Sequence, residues 1–115
     1  MTPKDIFSLD GKVAIVTGAS KGIGEAIARY FVAAGASVVI NSRKPEELAS
    51  LAEEISPDRC SAVAGNAGDL AFCQELVKET VNRFGGVDIL VNNAATNPIF
   101  GGLLEADSAA FDKIM

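Results

Sequence analysis

The chain alternates short β-branched apolar runs with segments whose apolar residues recur at helical spacing. Val13-Ala14-Ile15-Val16 is a continuous apolar run closed by Thr17-Gly18, the pattern of a strand buried on both faces. From Ile23 the period turns helical, with Ile23, Ile27 and Phe31 in a stripe, Ala26, Tyr30 and Ala34 beside it, and Gly35 as its C′ residue. A second strand is predicted over residues 37–41, through Val38-Val39-Ile40. Pro45 then opens a helix at its first position. Glu46 and Glu47 favour the dipole of its first turn, Leu48, Leu51, Ala52 and Ile55 form its buried stripe, and Ser56-Pro57 stops it. A short third strand follows near residues 61–64. Asp69 caps a third helix whose inner face is Phe72, Leu76, Val77, Val81 and Phe84, and Gly85-Gly86 terminates it. Residues 87–91 form the fourth strand, residues 92–104 a loop, and a last helix begins near Asp107.

Alternation of this kind builds an α/β fold, a doubly wound parallel sheet with helices on both faces. Right-handed crossovers give the strand order 3-2-1-4, which reverses between the first and fourth strands. The carboxyl ends of those two strands open a crevice, so a ligand there meets the loops of residues 17–24 and 92–98.

The first of these loops is Thr17-Gly18-Ala19-Ser20-Lys21-Gly22-Ile23-Gly24. Gly18 permits the turn off the strand, Gly22 removes a Cβ where backbone must approach a phosphate, and Gly24 lets helix and strand pack closely. The N–H groups of the following helix then face the anion. Glycines also serve ordinary turns, but the strand before and the helix after are the context that a nucleotide loop requires.

Charge is unevenly placed. The net charge is −5, yet residues 1–44 hold six Lys/Arg against three Asp/Glu while residues 45–115 hold four against twelve. The overall sign argues against nucleic acid or an anionic membrane as partner, and the local cation excess suits a small anionic ligand. The absence of histidine removes His-based metal sites and His-dependent nucleophile systems. Cys60 and Cys73 match neither a CxxC nor a zinc spacing and read as reduced, packed thiols. No apolar run approaches the roughly 20 residues that span a bilayer, and residues 1–11 lack an apolar signal core, so a cytoplasmic location is expected.

TGxxxGxG in this spacing, followed by Asn92-Asn93-Ala94-Ala95 after the fourth strand, resembles the short-chain dehydrogenase/reductase family over essentially all 115 residues. The flanks Leu9-Asp10-Gly11-Lys12 and Val87-Asp88-Ile89-Leu90-Val91 agree with it, and Asn97-Pro98-Ile99-Phe100-Gly101 resembles bacterial relatives of the dicarbonyl and retinal reductases. The resemblance implies that Gly18, Ser20, Lys21, Gly22, Ile23 and Gly24 meet the cofactor's phosphates. It implies that Asn66 and Ala67 meet adenine, with Asn66, where the family often has Asp, accepting an amino proton through its side-chain carbonyl. Asn93, Ala94 and Ala95 would lie beside the nicotinamide ribose. Ala95 replaces the usual Gly of that motif, which requires a negative φ there.

An acid at the end of the second strand would hold the ribose 2′-hydroxyl and repel a 2′-phosphate. The strand instead ends Ile40-Asn41-Ser42-Arg43-Lys44. Ser42 can donate a hydrogen bond and Arg43 offers a planar guanidinium suited to phosphate; with Lys21 they favour NADP(H), leaving NAD(H) second. The bland alternative is that Arg43 and Lys44 only solvate a helix start.

The family's chemistry implies hydride transfer, in which a Tyr serves as acid/base, a Lys four residues on lowers its pKa, a Ser orients the carbonyl and an Asn completes a proton path. The single tyrosine is Tyr30, the residue four on is Ala34, and Tyr30 reads as packing, so no catalytic residue is assigned. Residues 111–115 resemble the start of the helix that would carry the Asn. The expectation is one incomplete NADP-binding Rossmann domain over residues 1–115, inactive by itself and marginally stable in isolation. Its substrate, a small carbonyl or alcohol, and any homo-oligomer would belong to a longer form. A stand-alone nucleotide-binding or regulatory module, or a purely structural domain, are the competing readings.

Overall fold

The four strands and the first three helices predicted are all present in a computed structural model that describes residues 8–19 and 22–93. In chain order these are β1 (Val13–Thr17), α1 (Gly22–Ala33), β2 (Ser37–Ser42), α2 (Pro45–Ile55), β3 (Cys60–Ala64), α3 (Leu70–Phe84) and β4 (Ile89–Asn92). All strand pairs are parallel and the order is β3-β2-β1-β4, so the sheet is the doubly wound one expected. The loop beyond Asn93 and the last helix lie outside the described residues.

Side-chain alternation along each strand divides the core into two layers. Ala14, Val16, Val38, Ile40 and Ile89 face α1 and α2, where Ala28, Phe31, Val32, Leu48 and Leu51 close over them. Ile15, Val39 and Leu90 face the other way, onto Cys73 and Leu76 of α3. A slip of one residue would exchange these faces and put each set of side chains into the layer packed for the other, which fixes the register.

Several boundaries and faces differ from the periodic reading. The continuous strand β4 starts at Ile89, with Val87 in an isolated bridge before it; between them the Asp88 N–H donates to the Val13 carbonyl at 2.8 Å and the Asp88 carboxylate accepts the Val13 N–H at 2.9 Å. On α1 the buried residues are Gly24, Ala28, Phe31 and Val32, while Ile23 is 71% exposed and Tyr30 41% exposed. The close approach of Gly24 to the loop before it turns this helix, and one residue back is 100° round the axis, so Ile23 points outward. Tyr30 is therefore not the packing residue expected. On α3 the buried line is Cys73, Leu76 and Thr80; Phe72, Val77 and Phe84 flank it and Val81 is exposed. Thr80 sits in that line because its hydroxyl donates to the Leu76 carbonyl at 2.8 Å.

Helix ends follow local chemistry. Asp69 accepts the Phe72 N–H at 3.2 Å, Pro45 stands in the first turn of α2, and Arg59 donates to the Val32 and Ala36 carbonyls at 3.0 and 3.3 Å, closing the end of α1. Among the described residues, no helix is long and apolar enough to cross a membrane.

Both cysteines are free and buried. Burial pushes the Cys60 thiol from 9.0 up to about 11. Burial, reinforced by the Asp69 carboxylate, also raises that of Cys73, whose Sγ donates to the Ala67 carbonyl at 3.2 Å. Since thiolate is the reactive form, neither residue is expected to react with iodoacetamide at pH 8 until the chain unfolds, as mass spectrometry across a urea series would read. The folded chain holds the Cys60 proton more tightly than the unfolded chain. This contribution to stability is therefore present below pH 9 and is lost as pH rises toward 11.

Candidate functional site

The crevice is assembled by polar residues at the ends of apolar strands. Thr17 lies opposite Asn41 on one side and Asn92 on the other, so three strands end level. Thr17 is fully buried; its hydroxyl accepts the Asn93 N–H at 3.0 Å and donates to Asn92 Oδ1 at 3.1 Å. Asn93 Nδ2 in turn donates to the Gly18 carbonyl at 3.2 Å, and the Ala19 N–H donates to the Asn41 carbonyl at 2.9 Å. The glycine loop is thus tied to both neighbouring strands before any ligand is considered.

Gly18 and Gly22 have φ of +62° and +69°, a region that side chains disfavour. Among the described residues, a Cβ built on Gly22 meets no atom within 4 Å, so the backbone at the start of α1 leaves room on that side for an anion. Gly24 is the opposite case. A Cβ there would overlap the Gly18 carbonyl oxygen and crowd Asn93 Nδ2 at 2.8 Å and Ala19 Cα at 2.9 Å. The close packing predicted for Gly24 is therefore of helix against loop and Asn93, not of helix against strand.

The second edge of the crevice lies where β2 and β3 end. The buried Asn41 amide donates to the Val63 and Gly65 carbonyls at 3.0 and 3.3 Å, and the Gly65 N–H donates to the Ser42 carbonyl at 2.9 Å, aligning the two strand ends. Ser42 Oγ accepts the Lys44 N–H at 3.1 Å, which leaves its own hydrogen to donate. Arg43 is exposed and its Nη2 donates to Asn66 Oδ1 at 3.0 Å. The same oxygen accepts the Gly68 N–H at 2.8 Å. Both lone-pair positions of that carbonyl thus have a donor, so an adenine amino group would share this oxygen or displace Arg43, while the amide nitrogen stays available to a ring acceptor.

Of the residues predicted for the site, Gly18, Gly22, Gly24 and Asn93 converge on one edge and Ser42, Arg43, Asn66 and Ala67 on the other. Ile23 stands exposed at the start of α1. Ser20, Lys21, Ala94 and Ala95 lie outside the described residues. Sequence reasoning passed over Thr17, Asn41 and Asn92 as site residues. Their signal was a polar residue ending each of three apolar runs. Tyr30 lies eight residues along α1 from Gly22, roughly 12 Å at the helical rise, which removes it from the crevice.

The cation excess of the first 44 residues is partly spent in ion pairs. Arg29 binds Glu25 at 2.9 Å and Glu54 at 3.3 Å, and Lys44 lies 4.0 Å from Glu47. Arg43 is held by a neutral oxygen instead.

Strand order, loop and open helix start define a Rossmann-type nucleotide-binding unit. The short chain dehydrogenase pattern matches residues 12–115, and the chain belongs to that family. It is 43% identical over 115 residues to dehydrogenase/reductase SDR family member 4 of Caenorhabditis elegans, covering 97% of this chain and 44% of the relative. It is 40% identical over 109 residues to (+)-cis,cis-nepetalactol synthase NEPS3 of Nepeta racemosa, covering 93% and 39%. Among solved structures it resembles a 3-ketoacyl-(acyl-carrier-protein) reductase from Brucella melitensis complexed with NADH. That match has a TM-score of 0.69 at 42% identity and covers 72% of this chain and 34% of the other. The chain thus spans less than half the length of these relatives. None of these similarities singles out the bacterial dicarbonyl and retinal reductases.

Proposed function

We propose that this chain holds NADP(H) in preference to NAD(H), as the cofactor-binding part of an oxidoreductase that acts on a carbonyl or alcohol. The observation that carries the reading is the end of β2, where Arg43 takes the place of an acid and is anchored by a neutral amide. A guanidinium there attracts a 2′-phosphate by charge and by parallel N–H donors. In this reading Gly18, Ser20, Lys21, Gly22, Ile23 and Gly24 receive the pyrophosphate. Ser42 and Arg43 take the 2′-phosphate, Asn66 and Ala67 border the adenine, and Asn93, Ala94 and Ala95 border the nicotinamide ribose. The open backbone at Gly22 fits a phosphate. The NADH complex of the Brucella reductase supports a nicotinamide dinucleotide as the ligand class. The dinucleotide supplies or accepts the hydride, and this chain's residues orient it. Substrate contacts and the acid/base tyrosine belong to the whole protein. Two buried free thiols suit a reducing compartment, and the cytoplasm is the location we infer.

Fluorescence titration with NADPH and NADH tests this reading. Saturable binding is expected for both, tighter for NADPH. Arg43→Asp removes a charge-assisted bond worth about 1.5–3 kcal/mol and adds repulsion, so NADPH affinity should fall on the order of 10- to 100-fold with little change for NADH. Equal losses for the two cofactors would remove the preference from Arg43, and absence of saturable binding by folded protein would favour a structural domain.

A further inference from the structure

The bond between Arg43 and Asn66 joins the ends of two strands, across 23 residues of sequence. Asn66 is itself fixed, because its Oδ1 accepts the Gly68 N–H at 2.8 Å and so cannot swing away without opening that turn. The flexible guanidinium is therefore docked on a rigid acceptor. That acceptor carries no charge. A carboxylate at the same position could accept the same two hydrogen bonds, but it would neutralise Arg43 and repel any phosphate brought near it. Among the described residues the ion pairs join Arg29 to Glu25 and Glu54 and Lys44 to Glu47, and none includes Arg43.

We propose that Asn66 is a positioning residue for cofactor choice: its side-chain carbonyl orients the Arg43 guanidinium toward a ribose 2′-phosphate while leaving its charge uncompensated. The amide at residue 66 is thereby a determinant of dinucleotide preference, with no need to touch the phosphate. The inference rests on the reading of Arg43 as the 2′-phosphate partner.

The test measures dissociation constants for NADPH and NADH, with thermal melting as control, on the full chain and on Asn66→Asp, Asn66→Ser, Arg43→Ala and the double variant Arg43→Ala/Asn66→Asp. Asn66→Asp keeps the acceptor for Gly68 and should melt with the parent. Whatever it costs both cofactors at the shared adenine, it should weaken NADPH on the order of tenfold more than NADH, and this difference should shrink as salt is raised to about 0.5 M. On the Arg43→Ala background the same change should lower the NADPH:NADH preference by clearly less than in the parent, because only the direct repulsion of the phosphate by the new carboxylate remains. Asn66→Ser still reaches the turn but not Arg43, and should cost NADPH a few-fold more than NADH, on the order of one lost surface hydrogen bond; it carries the decision if Asn66→Asp fails to fold. An unchanged ratio in Asn66→Asp, where Arg43→Ala collapses it, overturns the role of Asn66 and spares the cofactor assignment. Equal loss of both cofactors in Asn66→Asp also overturns it, because Asn66 would then be acting on the adenine. An unchanged ratio in Arg43→Ala is the distinct result that sinks the cofactor assignment and this proposal with it.

Discussion

Gly24→Ala is expected to cost about 3 kcal/mol of folding stability, the upper end of what an added methyl does in a close-packed site. Saturable dinucleotide binding should disappear with it. The size follows from what the methyl would strike: the Gly18 carbonyl oxygen, with Ala19 Cα and Asn93 Nδ2 behind it. Two of these three atoms are backbone, and the third donates to the Gly18 carbonyl at 3.2 Å, so no rotamer change relieves the overlap. Either the helix withdraws from the loop or the loop leaves both neighbouring strands. Gly22→Ala is the informative contrast. Its methyl would point into open space, so the cost is the left-handed backbone, about 1–2 kcal/mol. Binding should still fall, because the methyl occupies the face offered to the anion. Melting curves and NADPH titrations of the two variants check this pattern: a large stability loss for Gly24, and a binding loss out of proportion to stability for Gly22. Parent-like melting of Gly24→Ala would mean that the close approach does not hold the loop.

The contrast also marks how much a sequence of this kind can say. Buried strands such as Val13–Thr17 are legible because a parallel sheet covered on both faces requires unbroken apolar runs, and their alternation with helices restricts strand order. The caps at Pro45, Asp69 and Gly85 are local chemistry and are equally legible. Helix rotation is less so. Ile23, Ile27 and Phe31 make a good apolar stripe, but the centre of the buried face is set by where Gly24 touches the loop, a contact that periodicity does not contain. On α3, Thr80 reads as polar and Val81 as apolar, yet Thr80 is buried with its hydroxyl bonded one turn back.

Polar connections at the site were the least legible. Each depends on register between strands far apart in sequence: Thr17 reaches Asn92 across 75 residues and Asn41 reaches Val63 across 22. Asn66 could be placed near the adenine by its position after β3, but not matched with Arg43, because that requires knowing that the two loops face each other. The same knowledge changes the reading of the charge excess. Counted along the chain it is a property of 44 residues; in the structure Arg29 and Lys44 lie beside glutamates, and the cation at the crevice held by a neutral oxygen is Arg43.

Thr17→Val should cost about 1–3 kcal/mol, from two hydrogen bonds lost at roughly 0.5–1.5 kcal/mol each. Valine keeps the shape and the β-branched fit to the strand, so packing contributes little to the change. What is lost is the hydroxyl of a fully buried residue, which accepts the Asn93 N–H at 3.0 Å and donates to Asn92 Oδ1 at 3.1 Å, with the Val91 carbonyl at 3.4 Å. Asn93 then has less reason to present its amide to the Gly18 carbonyl, so the glycine loop loosens and NADPH affinity should fall beyond what the stability loss explains. Thr17→Ser supplies the separation. It retains the hydroxyl and removes one buried methyl, a loss on the order of 1 kcal/mol, and should bind cofactor nearly as the parent does. Thermal melting and titration of the pair decide between the two contributions: a serine variant as impaired as the valine variant would assign the role to the methyl and leave the hydrogen-bonded latch incidental.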